Sequence, residues 1–141
     1  MAKTLARTIT MLSSGCWVTD QYGLMMDEVK KQVFSRMDAN HHILSGFKAL
    51  FSEQSMRVLD ETRRVCGGAG YQSNSGLPTL WQNASPNVTL EGENMVMFGQ
   101  ATRYLVKLYR KVQQGKKVPE PFTYLNELSS QLMSKSQARS T

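Results

Sequence analysis

The sequence predicts an all-α fold of three long helices, with a long connection rich in glycine and proline between the second helix and the third. Apolar residues recur three or four positions apart in three separate segments, which is the period of an amphipathic helix. Residues 66–90, between the second and third segments, hold four of the ten glycines and two of the four prolines. At 141 residues the chain suits one domain. We expect residues 1–128 to form that domain and residues 129–141 to be a flexible polar tail.

Residues 1–36 are predicted to form the first helix. Its apolar stripe at helical spacing consists of Leu5, Ile9, Leu12, Cys16 and Thr19, and it continues towards Tyr22, Met26, Val29 and Val33. Up to Thr19 the only charged residues are Lys3 and Arg7, and serines and threonines accompany them. This composition resembles a mitochondrial transit peptide. A structural helix is the favoured interpretation, and a targeting role stays open beside it.

The second helix is predicted from about His41 to Val65, after a break at residues 37–40. Asp38 or Asn40 is the expected cap of this helix. Its stripe at helical spacing consists of Ile43, Leu44, Phe47, Leu50, Phe51, Gln54, Val58 and Leu59. His41 and His42 stand at its start, and no third ligand type accompanies them. We therefore interpret them as a helix-entry pair and predict no metal site.

The third helix is predicted from Asn94 to Gln114. Gly115 follows it as a stop signal, and two prolines soon after it exclude further helix. Residues 124–128 are expected to form a short apolar docking segment, and the serine-rich tail comes after it.

Charge and cysteine content exclude several classes of protein. Cys16 and Cys66 lie far apart without paired Cys or His spacing, which indicates neither a disulfide framework nor a zinc site. The net charge is +6, and residues 94–119 hold six basic side chains and no acidic one. A solvated basic face beside an acidic partner is the favoured interpretation, because no nucleic-acid motif accompanies the run. No apolar run approaches the ~20 residues of a membrane-spanning helix, so we predict no transmembrane segment.

The connection holds the residues most suited to chemistry. Its CGGAGY stretch, residues 66–71, lets backbone approach a ligand or a neighbouring helix closely, because glycine has no Cβ. Its TLEGEN stretch, residues 89–94, places Glu91 where the third helix is predicted to begin. There we expect its carboxylate to lie within reach of unpaired backbone N–H groups.

Four blocks of sequence resemble the acyl-CoA oxidases, flavoproteins related to the acyl-CoA dehydrogenases. The blocks are CGGAGY, SGLPTLW, SPNVTLEGEN and QATRYLVK, in the family's order and spacing, with weaker similarity in LSGFKALFSE upstream and YLNELSSQ downstream. The resemblance covers about residues 3–131 and corresponds only to the region of the family's carboxyl-terminal helical domain. It implies that the three helices pack as part of such a helical bundle.

The resemblance also implies roles for individual residues. The first Glu of the family's EGEN block removes the α-proton of a fatty acyl-CoA thioester, which makes Glu91 the expected catalytic base. Its backbone N–H is expected to help hold the thioester carbonyl. The cofactor that the family implies is FAD, and the residues expected to bind it are Arg64, Gly67, Gly68, Gly70, Glu93 and Met95. In the family the glycine segment often lines the FAD of an adjacent subunit.

Two positions depart from the family pattern. Ala69 stands where the oxidases commonly have His, and Leu90 stands where an aromatic residue usually precedes the base. Packing near the flavin is therefore expected to differ.

Two hypotheses follow. In the first, the chain is part of an acyl-CoA oxidase whose other domains come from elsewhere, and it contributes Glu91 and one wall of the FAD site. In the second, it is a non-catalytic helical accessory subunit derived from that family. Either hypothesis predicts that helices shaped against other domains expose an apolar face, which other protein subunits cover.

Localisation has two alternatives. The amino-terminal composition favours a mitochondrion and the family favours a peroxisome. The carboxyl terminus, Arg-Ser-Thr, is not a peroxisomal address of the SKL type.

Overall fold

The computed structural model describes residues 2–118 and 120–127 and confirms the all-α fold. Its α-helices are α1 (Ala2–Lys30), α2 (Met37–Val65), α3 (Leu77–Ala84) and α4 (Asn94–Gln113). Turns of 3₁₀ helix occur at Gly67–Gly70, Ser73–Ser75, Ser85–Val88 and Thr123–Glu127. Within the described ranges there is no strand. The predicted tail, residues 129–141, lies outside the described residues.

The connection between the second and third long helices contains structure that the sequence pattern did not predict. The eight-residue helix α3 occupies its middle, and three of the 3₁₀ turns lie around it. Pro78 stands in the first turn of α3, where its missing N–H is no loss. The glycine motif therefore forms a 3₁₀ turn directly after α2, and the carboxylate motif lies between the 3₁₀ turn Ser85–Val88 and α4.

The predicted break between the first two helices is wrong in position. The chain leaves helical geometry at residues 31–36 and α2 already begins at Met37, so Asp38 lies inside its first turn. No side chain caps this helix. Glu28 near the end of α1 closes the bend instead, because it accepts hydrogen bonds from Ser35 and Arg36. Those hydrogen bonds lower the pKa of Glu28 below its ordinary value.

The chain divides into two compact units, Met1–Thr102 and Arg103–Thr141. In the first unit, α1 packs on α2 through an aromatic cluster in which the ring centroids of Trp17 and Phe47 lie 6.1 Å apart. Arg7 also donates to Glu61 over 2.7 Å. This ion pair is partly exposed, so solvent screens it and it adds little to stability.

The predicted apolar stripe of α1 is not the face that packs on α2. None of the helix's residues is buried, and Leu5, Ile9 and Leu12 are 61%, 58% and 71% exposed. The structure therefore shows the exposed apolar face that the sequence led us to expect. We call this face, formed by Leu5, Ile9 and Leu12, the α1 stripe.

Helices α2 and α4 approach closely in the first unit. Ile43, Ala49 and Ala101 are buried there, and a Cβ at Gly46 would lie 3.6 Å from that of Ala101. The Nδ1 atom of His42 lies 2.8 Å from the Ala101 carbonyl oxygen. One of the two predicted helix-entry histidines thus bonds to a neighbouring helix.

The second unit has a small core of its own. Leu108, Val118, Phe122 and Leu125 are buried in it. The side-chain amide of Asn126 accepts from the Val118 N–H over 2.9 Å and donates to the Val118 carbonyl over 3.1 Å. None of the described helices has the length and apolar content needed to cross a bilayer.

Candidate functional site

Glu91 lies in a tight turn before α4, and we call residues 89–93 the carboxylate turn. The N–H groups of Thr89 and Leu90 both donate to the Pro86 carbonyl, over 2.9 and 2.8 Å. Glu91 then takes a φ of +56° and Gly92 a φ of +106°. The left-handed conformation costs a non-glycine residue about 1–2 kcal/mol. The surroundings must therefore hold Glu91 in this conformation.

A polar network supplies part of that restraint by joining the turn to the middle of α2. The Lys48 ammonium donates to the Gly92 carbonyl and, over 3.0 Å, to Asn94 Oδ1. Ser52 Oγ lies 3.0 Å from the same Asn94 oxygen. The amide nitrogen of Asn94 donates to the Ala49 carbonyl over 3.3 Å. Asn94 is only 6% exposed, so both ends of its amide are satisfied by α2 in place of water.

Packing supplies the rest of the restraint. A Cβ added to Gly92 would come within 2.4 Å of the Met97 methyl group. The backbone conformation therefore favours glycine at this position, and a larger residue would also displace the end of the Met97 side chain.

The Glu91 carboxylate is exposed and lines a cavity of about 440 Å³ together with Lys48, Ser52, Asn87 and Leu90. Among residues 2–118 and 120–127, neither its carboxylate nor its backbone N–H has a hydrogen-bond partner. The carboxylate of this cavity-lining residue is therefore available to a ligand, and the backbone N–H is not used within the chain's described ranges. A carboxylate can accept a proton there, and a nearby N–H can stabilise a developing oxyanion.

The helix-start carboxylate is Glu93, and the prediction of that place for Glu91 is wrong. Glu93 Oε2 accepts from the N–H groups of Met95 over 2.8 Å and Val96 over 3.2 Å. It thereby satisfies two of the unpaired donors at the start of α4. The neighbouring Met95 is 79% exposed. Because Glu93 carries out this capping, Glu91 stays unpaired.

The predicted cofactor-binding glycines lie at the far end of α2, in residues 66–71, which we call the glycine bend. A Cβ at Gly70 would come within 1.9 Å of the Arg63 carbonyl oxygen, so the bend passes directly against the helix backbone. At Gly67 and Gly68 an added Cβ would meet nothing within 4 Å. The bend therefore presents open backbone on one side and is tightly packed on the other.

The arginines beside the bend are paired with one carboxylate. Arg63 and Arg64 each donate to Asp60 over 2.8 Å. The hydrogen bond from Arg63 is the main reason why the pKa of Asp60 lies below its ordinary value. A groove of about 820 Å³ adjoins Arg63, Gly70, Tyr71 and Trp81. Arg64, the predicted cofactor ligand, is the more exposed of the two arginines.

The structure divides the predicted site residues into two groups. Glu91, Glu93 and Met95 lie near the part of α2 that carries Lys48, whereas Arg64 and the glycines lie at its end. At a rise of 1.5 Å per residue, Lys48 and Arg64 are about 24 Å apart along the helix axis. The sequence motifs did not indicate Lys48 and Ser52, because no local pattern links α2 to a turn some forty residues later. Asn87 was not singled out either, although it lies only four residues before Glu91.

The site residues also fall inside regions of similarity to known proteins. A family model described as the acyl-CoA oxidase, C-alpha1 domain, matches residues 1–106. The chain is 35% identical over 117 residues to mouse peroxisomal acyl-coenzyme A oxidase 1 and 36% identical over 117 residues to the human protein. These matches cover 83% of the chain and 18% of each relative.

A solved structure, Arabidopsis thaliana acyl-CoA oxidase 1, is similar with a TM-score of 0.84 and 28% identity. It covers 89% of this chain, and the chain covers 19% of that protein. The chain thus spans about a fifth of the length of the proteins it matches.

Proposed function

The chain belongs to the acyl-CoA oxidase family, and we propose on this basis that it contributes the catalytic base Glu91 and one wall of the flavin site to a FAD-dependent acyl-CoA oxidase. The activity belongs to a larger assembly, because the chain corresponds to one domain of the relatives it matches.

One observation carries this proposal, namely the way in which Glu91 is held. The turn imposes a left-handed conformation on Glu91, side chains from α2 anchor that turn, and the carboxylate faces a cavity. A carboxylate that served only the helix dipole would lie where Glu93 lies. Strain of this kind persists where the surroundings impose it, and it concentrates at active sites.

The proposed chemistry follows from these groups. The Glu91 carboxylate takes the α-proton of a fatty acyl thioester, and its backbone N–H donates to the thioester carbonyl as negative charge develops there. When FAD is bound, it supplies the acceptor for the hydride that leaves the β-carbon. A water-accessible cavity of about 440 Å³ lies in the range of small-molecule sites, which are roughly 300–1,000 Å³.

The glycine bend fits one wall of a nucleotide site. The open space before Gly67 and Gly68 allows a phosphate group to reach the backbone, and Arg63 adds a positive charge beside the groove. Arg64 would contribute its charge while keeping its bond to Asp60. Glu93 and Met95 are assigned here only to the neighbourhood of the cofactor, since Glu93 caps α4.

The separation of the two groups supports an arrangement in which each contributes to a different flavin. About 24 Å of helix lies between the carboxylate turn and the glycine bend. We propose that the bend lines the FAD of an adjacent subunit, and that Glu91 serves the flavin on its own side.

The α1 stripe supports a place inside an assembly. Contiguous exposed apolar surface of this kind marks interaction sites, and Leu5, Ile9 and Leu12 are each more than half exposed. We propose that other protein segments of the oxidase cover this stripe. Because the mammalian relatives carry the name peroxisomal, we propose the peroxisome as the compartment.

The experiment is to purify the protein with its native partners and record the flavin absorption spectrum. Hydrogen peroxide release from a fatty acyl-CoA is then measured for the wild type and for Glu91→Gln. Removing a general base costs about 10²- to 10⁴-fold in rate. We expect Glu91→Gln to lower peroxide release within this range while the flavin stays bound.

Asp20→Asn is the matched control, because it removes an exposed carboxylate from α1, outside the site. We expect it to retain most of the activity. A colourless, inert assembly, or activity that Glu91→Gln leaves intact, would contradict the proposal. The inert result would support the non-catalytic accessory subunit.

A further inference from the structure

Lys48 is a half-buried cation that lies in the weakly similar stretch LSGFKALFSE and to which the sequence motifs assign no role. It lies on the face of α2 that meets the carboxylate turn, and in the described part of the chain it forms no ion pair. Its ammonium donates instead to two neutral oxygens, the Gly92 carbonyl and Asn94 Oδ1. A lysine withdrawn from water to bind two neutral acceptors loses hydration without gaining a counter-charge. Its placement is therefore poorly explained by stability alone.

The two acceptors lie on either side of Glu93, and the first of them, Gly92, directly follows Glu91. Gly92 is bonded to Glu91, so holding the Gly92 carbonyl fixes the backbone one residue after Glu91. Asn94 is the first residue of α4. One ammonium group thus joins the end of the strained turn to the start of the following helix.

The Asn94 amide transmits this restraint to α2. Its oxygen receives Lys48 and lies 3.0 Å from Ser52 Oγ, and its nitrogen donates to the Ala49 carbonyl. All three partners stand within five residues on one helix. The position of the turn is therefore defined relative to a rigid element, which is the kind of support that accurate placement of a reacting group requires.

We propose that Lys48 is a positioning residue for Glu91. By holding the Gly92 carbonyl and the Asn94 amide it keeps Glu91 in place on the wall of the cavity that Lys48 itself lines. Asn94 and Ser52 complete the hydrogen-bond network that holds the turn. The role rests on the proposed function of Glu91 as the base.

The inference predicts a specific kinetic signature. Lys48→Met keeps the length of the aliphatic chain and removes every donor. We expect it to lower kcat by about 100-fold, the scale of a misplaced catalytic group, and to change KM by less than about threefold. Lys48→Arg restores donors in altered geometry and should recover part of the lost kcat. Lys111→Met, at an exposed position on α4, is the matched control and should leave kcat unchanged.

A second measurement does not depend on turnover. Hydrogen exchange, followed by mass spectrometry of a peptide covering residues 86–97, reports how often the carboxylate turn opens. We expect exchange in Lys48→Met to be at least ~10-fold faster in this peptide and unchanged at the glycine bend. Ser52→Ala, which removes one contact to Asn94, should show a smaller change in the same peptide. Circular dichroism confirms that each variant keeps its helices.

The outcomes separate the two proposals. If Glu91→Gln abolishes turnover but Lys48→Met leaves kcat and exchange unchanged, the positioning role is wrong and the function of Glu91 stands. If turnover never depends on Glu91, the proposed function fails, while faster exchange in Lys48→Met still shows that Lys48 holds the turn. A global loss of helix in Lys48→Met, with Lys48→Arg and Ser52→Ala both unchanged from the wild type, would assign Lys48 a structural role only and overturn the inference.

Discussion

The glycine bend and the carboxylate turn are both tight turns with positive φ angles at glycine, yet they are attached to α2 in different ways. The bend rests on the helix backbone, since Gly70 passes against the carbonyl of Arg63. The carboxylate turn is attached by side chains, through Lys48, Ser52 and Asn94. The first attachment is steric and the second is a hydrogen-bond network.

This difference distinguishes a turn that only reverses the chain from a turn that also positions a side chain. A turn that only has to reverse the chain can be packed against backbone, as the glycine bend is. The carboxylate turn uses a buried amide and a lysine, which are costly groups to withdraw from water. The additional cost is understandable where one side chain, that of Glu91, must point in one direction.

The largest expected effect lies at the glycine bend. Gly70→Ala places a methyl group 1.9 Å from the Arg63 carbonyl oxygen, and backbone cannot move aside as a side chain can. We expect a loss of about 3 kcal/mol or more in the free energy of unfolding, at the upper end of overpacking effects. Urea denaturation followed by circular dichroism measures it.

Gly68→Ala is the matched control for this prediction. An added Cβ there meets nothing within 4 Å, and we expect a change within about 1 kcal/mol, with stabilisation if the chain is merely stiffened. Equal losses in the two variants would show that the bend responds to flexibility and not to close backbone contact.

The sequence predicted much of the fold, but not the attachment of the carboxylate turn to α2. Helical periodicity identified three long helices because each offers many turns of pattern, whereas α3 has only eight residues. The spacing of Leu5, Ile9 and Leu12 indicated an apolar face without telling what covers it. The sequence did not identify Lys48, because its partners Gly92 and Asn94 lie more than forty positions away.

The break between α1 and α2 was misplaced for a related reason. Asp38 and Asn40 are good capping residues by type, but the groups that close the bend are contributed by Glu28, Ser35 and Arg36. Such contacts depend on how the chain reverses, which local propensity does not determine.

The next prediction, with a smaller expected effect, tests whether the Met97 side chain obstructs a Cβ at position 92 of the carboxylate turn. Gly92→Ala should cost about 2 kcal/mol, since its φ of +106° is unfavourable for alanine and Met97 lies in the way. Combining it with Met97→Ala should cost about 1 kcal/mol less than the sum of the single changes. The free energies come from the same urea denaturation.

The same double-variant test can be made at the glycine bend with Gly70→Ala and Arg63→Ala. Arg63→Ala removes a side-chain atom 3.1 Å from the added Cβ but leaves the carbonyl oxygen in place. We therefore expect Arg63→Ala not to reduce the loss in the free energy of unfolding that Gly70→Ala causes. The distinction between backbone and side-chain obstruction would be wrong if Arg63→Ala reduced the stability loss of Gly70→Ala. It would also be wrong if the losses of Gly92→Ala and Met97→Ala were strictly additive.

The smallest expected effect is the change of stability with pH that His42 causes. This residue is one of the side chains that attach α4 to α2. His42 is half-buried and its Nδ1 lies 2.8 Å from the Ala101 carbonyl. Burial lowers the pKa of His42, with a further lowering by His41, despite the opposing hydrogen bond to Ala101. As the pH falls through about 6.5, the ordinary value, the unfolded chain takes up the proton first. Stability therefore falls between pH 7 and pH 5.

Urea midpoints at pH 7 and pH 5 measure this response, with His42→Gln beside His41→Gln, whose exposed ring is the matched control. We expect the acid sensitivity to shrink in His42→Gln and to persist in His41→Gln. The carboxylates of Glu28, Asp60 and Glu61 have pKa values below their ordinary ones, so they stay ionised in this window. Hydrogen exchange should show the acid-induced loosening around Ala101, where His42 meets α4, and not at the glycine bend, because burial penalises the charged imidazolium only at the first of these places.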